Sequence, residues 1–112
     1  MSSADWIHKK TYETRRLADE VDLECNGSEV QMVRFHKGKF EHFHKEKTEF
    51  FYFIAGEGKA FIGGTSLPLS AGSHLLIKPG VKHSFVNDKS TPLEAIMFKT
   101  NSHPDNTFDL ES

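Results

Sequence analysis

Short stretches in which apolar and polar residues alternate run through most of the chain, and turn residues separate them. The clearest is TEFFYFIA at residues 48–55, which is closed by Gly-Glu-Gly. A period of two is typical of strands, and Gly, Pro and Asn-Gly dipeptides typically end them. Pro68 marks the run at 65–69 as an edge strand or the end of a strand. The pattern predicts eight or nine strands, at residues 21–25, 30–36, 40–44, 48–55, 59–62, 65–69, 73–78, 82–86 and 93–99.

No pattern of helical length separates these strands, which rules out a parallel α/β architecture. Only residues 14–20 could form a short helix. We therefore predict an all-β sandwich or barrel with at most one short N-terminal helix. Residues 1–20 are expected to form an N-terminal arm, residues 21–100 the barrel, and residues 101–112 a C-terminal tail that is mostly loop.

Composition limits the classes of function. The 112 residues are 37% hydrophobic and 27% charged, as in one ordinary soluble domain, and the net charge of −2 argues against a nucleic-acid or anionic-membrane partner. There is no apolar run long enough to span a bilayer, and the first residues lack the pattern of a signal peptide. Cys25 is the sole cysteine, which excludes an intrachain disulfide and a cysteine metal cluster. We expect a cytoplasmic protein in which Cys25 is a small buried apolar residue.

The seven histidines supply candidate chemistry. His42 and His44 are two apart on a predicted strand, so their imidazoles should share one face. Glu49 begins the next strand and would lie close to both if the two strands were hairpin neighbours, and His83 begins a later strand. Three imidazoles and a carboxylate suit a divalent transition metal. A His-x-His pair can equally be a surface or structural pair, so spacing alone leaves metal binding open.

The histidine pair belongs to a longer motif. In GKFEHFHKEKTEFFYFIAG, four residues separate His44 from Glu49 and six separate Glu49 from Gly56. This spacing resembles the first motif of the cupin family. One departure is that three residues, rather than the usual five, separate Gly38 from His42.

A second segment, GSHLLIKPGVKHSFVN, resembles the second cupin motif. Gly72, Gly80, His83 and Asn87 match it in order and spacing. Lys78 stands where the motif has its first proline. Neither departure touches a ligand position.

The resemblance implies a jelly-roll barrel of two packed antiparallel sheets. It also implies one divalent transition metal per chain (Fe, Mn, Ni, Zn or Cu), held by His42, His44, Glu49 and His83. An octahedral ion with these four ligands would keep two positions open for substrate or dioxygen.

Alternation from the ligand positions predicts the walls of a pocket. Four phenylalanines share the interior phase: Phe40, Phe51, Phe53 and Phe85. A dry aromatic cavity would favour an apolar or aromatic ligand, although these rings could simply fill a small barrel. Arg34 is the only arginine on a central strand, and its face is undetermined. The sequence therefore predicts few interior cations, which gives little support for a sugar phosphate.

Three functions follow from the resemblance. We favour an oxygenase-like metal enzyme acting on a small organic molecule, in which Glu49 also moves protons and is thus the predicted catalytic residue. A metal-dependent sugar isomerase, epimerase or lyase is the first alternative. A non-catalytic cupin that binds a small ligand is the second.

The opposite face of the strand at 48–55 predicts the assembly. If Glu49 faces inward, Phe50, Tyr52 and Ile54 face outward, and three adjacent large apolar groups need a cover. The N-terminal residues 6–7 could provide it, or a second subunit could. We predict a homodimer, the commonest closed assembly.

Overall fold

The structure, a computed structural model, describes residues 5–44, 47–102 and 107–109, with side chains at 5–41 and 47–102. These residues contain strands and turns, and no helix. The strands are β1 (Ile7–His8), β2 (Tyr12–Ala18), β3 (Glu29–Phe35), β4 (Gly38–His44), β5 (Thr48–Ala55), β6 (Gly58–Ile62), β7 (Thr65–Leu69), β8 (His74–Ile77), β9 (His83–Asn87), β10 (Leu93–Thr100) and β11 (Thr107–Asp109).

The strands form two antiparallel sheets. A six-stranded sheet has the order β1-β2-β3-β10-β5-β8, and a five-stranded sheet has the order β11-β4-β9-β6-β7. From β3 onward the chain passes repeatedly between the two sheets, which is the topology of a jelly roll. The predicted all-β jelly-roll fold is confirmed. β7 lies at the edge of its sheet, as Pro68 predicted.

Alternation along β5 decides which side chains enter the core. Glu49, Phe51 and Phe53 are buried, whereas Phe50 and the other outward-facing residues of the strand are exposed. The interior is aromatic: the rings of Phe35, Phe51, Phe53 and Phe85 lie within 5.0–6.5 Å of one or more of the others. These contacts bring the two sheets together, since β3 and β5 belong to one and β9 to the other.

A buried asparagine joins the sheets at the end of β9. The side-chain amide of Asn87 donates to the carbonyl oxygens of Phe35 at 3.0 Å and Thr91 at 2.9 Å, and its oxygen accepts from the Lys89 N–H at 2.8 Å. Because Phe35 ends β3, one side chain connects the five-stranded sheet to the six-stranded sheet. The asparagine of the second motif therefore has a structural role.

Two segments near the N-terminus differ from the elements considered for them. Residues 14–20 do not form a helix, because residues 12–18 form β2 and pair with β3. Tertiary pairing decides here, and Tyr12 and Thr14 are residue types that favour strands. β1 and β2 fall in the predicted N-terminal arm and are part of the six-stranded sheet.

Residues 21–25 form turns rather than the predicted strand. The Asp19 carboxylate accepts from the N–H groups of Val21 and Asp22 at 3.0 and 2.9 Å, which closes the chain into a turn. Val21 is 78% exposed, so its apolar character did not signal burial. Cys25 is exposed, which corrects the expectation that it is buried. The C-terminal tail also contains β11, which pairs with β4.

Candidate metal centre and cavity

A buried acid–histidine pair spans the interior between the sheets. Glu49 on β5 is 5% exposed, and His83 at the start of β9 is 1% exposed. His83 Nε2 lies 3.5 Å from Glu49 Oε1. His83 Nδ1 lies 3.3 Å from the Val81 carbonyl oxygen. The tautomer that donates Nδ1–H to Val81 leaves the Nε2 lone pair available to a metal ion on the side of Glu49.

The backbone of β4 places the His-x-His pair beside His83. β4 pairs with β9, and His42 is the direct partner of His83 in the register. β4 and β5 belong to different sheets, so Glu49 approaches from across the barrel and not from a hairpin neighbour. The side chains of His42 and His44 lie outside the described residues. Among the side chains that the structure describes, no group of three or more His, Cys, Asp or Glu could hold a metal ion.

A cavity of about 290 Å³ lies next to Glu49. One wall is apolar and is formed by Val33, Phe35, Phe40, Phe51 and Met97. Of the four predicted pocket-lining residues, Phe40 and Phe51 line this cavity. Phe53 and Phe85 are fully buried behind it, with Phe85 5.0 Å from the Phe51 ring and 5.6 Å from the Phe40 ring. They support the wall and fill the core.

The same cavity is lined by Lys9, Lys47 and Lys99, which the sequence analysis missed. Lys47 is 5% exposed. Burial lowers the pKa of Lys47, and the positive charge of Lys99 lowers it further, while Glu49 and Glu29 oppose the shift. The expected scarcity of interior cations is therefore wrong.

The pattern along the chain contained a signal for Lys47 and Lys99, the two inner lysines of the cavity. Lys99 has the same phase on β10 as the buried Leu93, Ala95 and Met97. Lys47 precedes Glu49 by two residues and so shares its phase. Lysine is almost never fully buried, so a strand-end lysine is ordinarily taken to face solvent.

Arg34 faces away from the cavity, which settles the face that the sequence left open. Its guanidinium contacts Glu13 and Glu94, each at 2.9 Å, on the outer side of the six-stranded sheet. The ring of Trp6 lies 4.2 Å from its Cζ. Hydrogen bonding to Glu94 and Glu13 raises the pKa of Arg34, so this group is a fixed cation of the outer surface.

The family follows from a match to most of the barrel. Residues 29–99 match the family model described as a cupin domain, and this range includes both motifs. The protein is a cupin. No curated protein is significantly similar in sequence to this cupin.

Solved structures show the same fold at low sequence identity. A predicted oxalate decarboxylase from Thermotoga maritima is 23% identical, with a TM-score of 0.74 over 86% of this chain and 90% of that one. Ectoine synthase from P. lautus is 21% identical, with a TM-score of 0.77 over 96% and 82% of the two chains. KdgF from Halomonas sp. is 16% identical, with a TM-score of 0.76 over 90% and 89%. At these identities the likeness establishes the fold alone. No helix in the described part of this cupin is long and apolar enough to cross a membrane.

Proposed function

We propose that this cupin binds one divalent transition metal per chain through His42, His44, Glu49 and His83, and that it is a metal-dependent enzyme acting on a small organic molecule. The observation that carries the proposal is the buried Glu49–His83 pair, 3.5 Å apart, with Glu49 lining the cavity. The register of His42 opposite His83 adds a third candidate ligand at the same position in the barrel.

The described donors fit a metal ion. Two ligands at about 2.1 Å from one ion lie about 3.0–3.4 Å apart for bond angles between 90° and 109°. The observed 3.5 Å between Glu49 Oε1 and His83 Nε2 is close to this range. Imidazole and carboxylate ligands suit Fe, Mn, Ni, Zn and Cu, so the donor set defines the class of metal.

For the reaction we favour oxygenase chemistry. A bound metal would supply a Lewis acid and an anchor for dioxygen. The chain's own contribution would be Glu49, which can move a proton at the cavity, and the wall of Phe35, Phe40, Phe51 and Met97, which excludes water.

A sugar isomerase, epimerase or lyase is the second candidate, and the structure strengthens it. The case against it was the apparent lack of interior cations, yet Lys47 and Lys99 line the cavity. Ammonium groups there could stabilise an enolate oxygen as it forms.

Parallel activity assays separate these candidates. Oxygen uptake by the Fe(II)-loaded protein would be measured with catechols, diketones and thiols, and turnover of sugars and sugar phosphates would be measured under nitrogen. Glu49→Gln should abolish the activity and leave the fold intact, whereas Glu57→Gln, at an exposed carboxylate, should leave both unchanged. Turnover under nitrogen without oxygen uptake would replace the oxygenase by the isomerase or lyase. No activity in either assay would indicate a non-catalytic cupin that binds a small ligand.

We also propose that the outer face of the six-stranded sheet pairs with a second copy. Six large apolar side chains on β5, β8 and β10 are 37–56% exposed: Phe50, Tyr52, Ile54, Leu76, Ile96 and Phe98. Among the described residues, Trp6 lies over Arg34 on β3, and β1 lies at the far edge of the sheet, so the N-terminal segment does not cover this face. A two-fold pairing would cover both copies at once.

Light scattering tests the pairing. The wild-type mass should be that of a dimer at micromolar concentration. Tyr52→Glu should give a monomer, because it places a charge in the apolar face, whereas Lys59→Glu on β6 should remain dimeric. A wild-type monomer would refute the pairing.

A further inference from the structure

We propose that the cavity beside Glu49 accepts a small organic carboxylate, whose charged group lies against Lys47 and Lys99 and whose apolar body packs on the aromatic wall. This rests on the proposed function in one respect, that ligand and metal share the cavity. The lysines that line the cavity and its apolar wall carry it.

The described lining of the cavity holds more cationic than anionic side chains. Among the described residues that line the cavity, three are lysines and one, Glu49, is a carboxylate. Lys47 is 5% exposed, and the Lys99 side chain is 13% exposed. Ammonium groups removed from water need nearby negative charge. Lys99 receives part of it from Glu29, whose Oε2 lies 3.9 Å from its Nζ.

Glu49 cannot fully balance the positive charge of Lys47 and Lys99 if it also ligates a divalent ion. Its negative charge would then be shared with the metal, and the described lining would hold more positive than negative charge. A carboxylate ligand would supply that charge and accept several hydrogen bonds from the ammonium groups.

The two inner lysines are positioned to act together. Lys99 is the direct cross-strand partner of Glu49 on β10, and Lys47 precedes Glu49 by two residues on the same chain segment. Lys99 therefore approaches the cavity from β10, and Lys47 approaches it from the residue before β5, the neighbouring strand of the six-stranded sheet. Both also line the cavity into which Phe51 and Met97 project.

Size and lining favour a carboxylate over a phosphate ester. The cavity of about 290 Å³ holds about ten water molecules, so the ligand is small. No arginine occurs among its described lining residues, although the arginine fork is the side chain best matched to phosphate. The body of an apolar or aromatic carboxylate would bury the rings of Phe35, Phe40 and Phe51 favourably.

Matched pairs of ligands test the proposal. Isothermal titration calorimetry would compare benzoate, cyclohexanecarboxylate and isovalerate with their amides, and benzoate with phenyl phosphate. In the purified full chain, at least one carboxylate should bind about tenfold or more tightly than its amide, because the amide lacks the charge that the lysines recognise. This preference should disappear in Lys99→Met and in Lys47→Met. It should persist in Lys59→Met, which removes an exposed lysine of β6 outside the cavity.

The controls separate this proposal from that of the metal. Circular dichroism would check folding, and if Lys47→Met does not fold, Lys99→Met carries the test. Equal binding of acid and amide in the wild type, or a preference that survives Lys99→Met, would overturn the carboxylate site. Tighter binding of phenyl phosphate than of benzoate would overturn it in favour of a phosphate ester. Metal content would be measured in the same samples: a lysine-dependent preference in metal-free protein would support the carboxylate site even if the metal proposal failed.

Discussion

Replacing Asn87 by alanine should remove a substantial part of the stability of the fold. The side chain makes three hydrogen bonds of 2.8–3.0 Å, and two of them go to carbonyl groups of Phe35 and Thr91. A typical hydrogen bond contributes about 1 kcal/mol net, and a buried group left without a partner costs about 1–3 kcal/mol. We therefore expect a loss of about 3–4 kcal/mol, out of a total of about 5–15 kcal/mol for a domain.

Urea denaturation would measure this loss. With a slope of about 2 kcal/mol/M, the midpoint should fall by about 1.5–2 M at an unchanged slope. Asn87→Asp should be at least as harmful, because it keeps only the acceptor for Lys89 and turns a carboxylate oxygen toward two carbonyls. Asn26→Ala is the control, since Asn26 is exposed and its loss should change stability by about 0.5 kcal/mol or less. A loss below about 1 kcal/mol for Asn87→Ala would refute the view that this residue ties the sheets together.

Two further predictions concern the outer surface and the core. The pKa of Glu13 lies below its usual value, because hydrogen bonds from Arg34 and His36 outweigh the effect of burial, which alone would raise it. The stability that ionised Glu13 provides is therefore complete well above the usual glutamate pKa of 4.5 and is lost as the pH falls through the lower folded pKa. The stability difference between wild type and Glu13→Gln should thus shrink between pH 6 and pH 3 in urea titrations, and a constant difference would contradict this. Phe53→Ala should lower the free energy of unfolding by about 3–5 kcal/mol, because Phe53 is fully buried. Phe61→Ala on β6 should lower it much less, because Phe61 is 39% exposed. Equal losses of stability would contradict the placement of the core.

The sequence predicted the barrel well where alternation coincided with burial. β5 alternates Glu49, Phe51 and Phe53 inward against Phe50, Tyr52 and Ile54 outward, and the structure has both faces as predicted. It failed at residues 21–25, where Val21 and Leu23 alternate with acids but Asp19 closes a turn. The spacing of apolar residues does not show that the Asp19 side chain accepts hydrogen bonds from the backbone N–H groups that a strand would use for pairing.

The candidate site was only partly accessible from the sequence. Glu49 and His83 lie 3.5 Å apart on strands of opposite sheets, and the hairpin that would have placed Glu49 beside His42 and His44 does not form, because β4 and β5 belong to different sheets. Lys47 and Lys99 were not expected in the cavity. Lysine ordinarily faces water, even at a position whose phase along the strand points inward. Arg34 could not be placed because its outer-face partners, Glu13 and Glu94, come from two other strands, and no local pattern gives that pairing.

The central claim is that Glu49 and His83 hold a divalent metal, and the metal content of the purified protein tests it most directly. Elemental analysis of protein prepared without added metal, and again after loading with Fe(II), Mn(II), Ni(II), Zn(II) or Cu(II), should find about one ion per chain. His83→Ala should lose the metal and with it the rise in melting temperature on loading, since an ion that binds only the folded state stabilises it. His74→Ala, at an exposed histidine of β8, should retain both. One ion per chain surviving in both His83→Ala and Glu49→Gln, or none in the wild type with any of the five metals, would contradict the account.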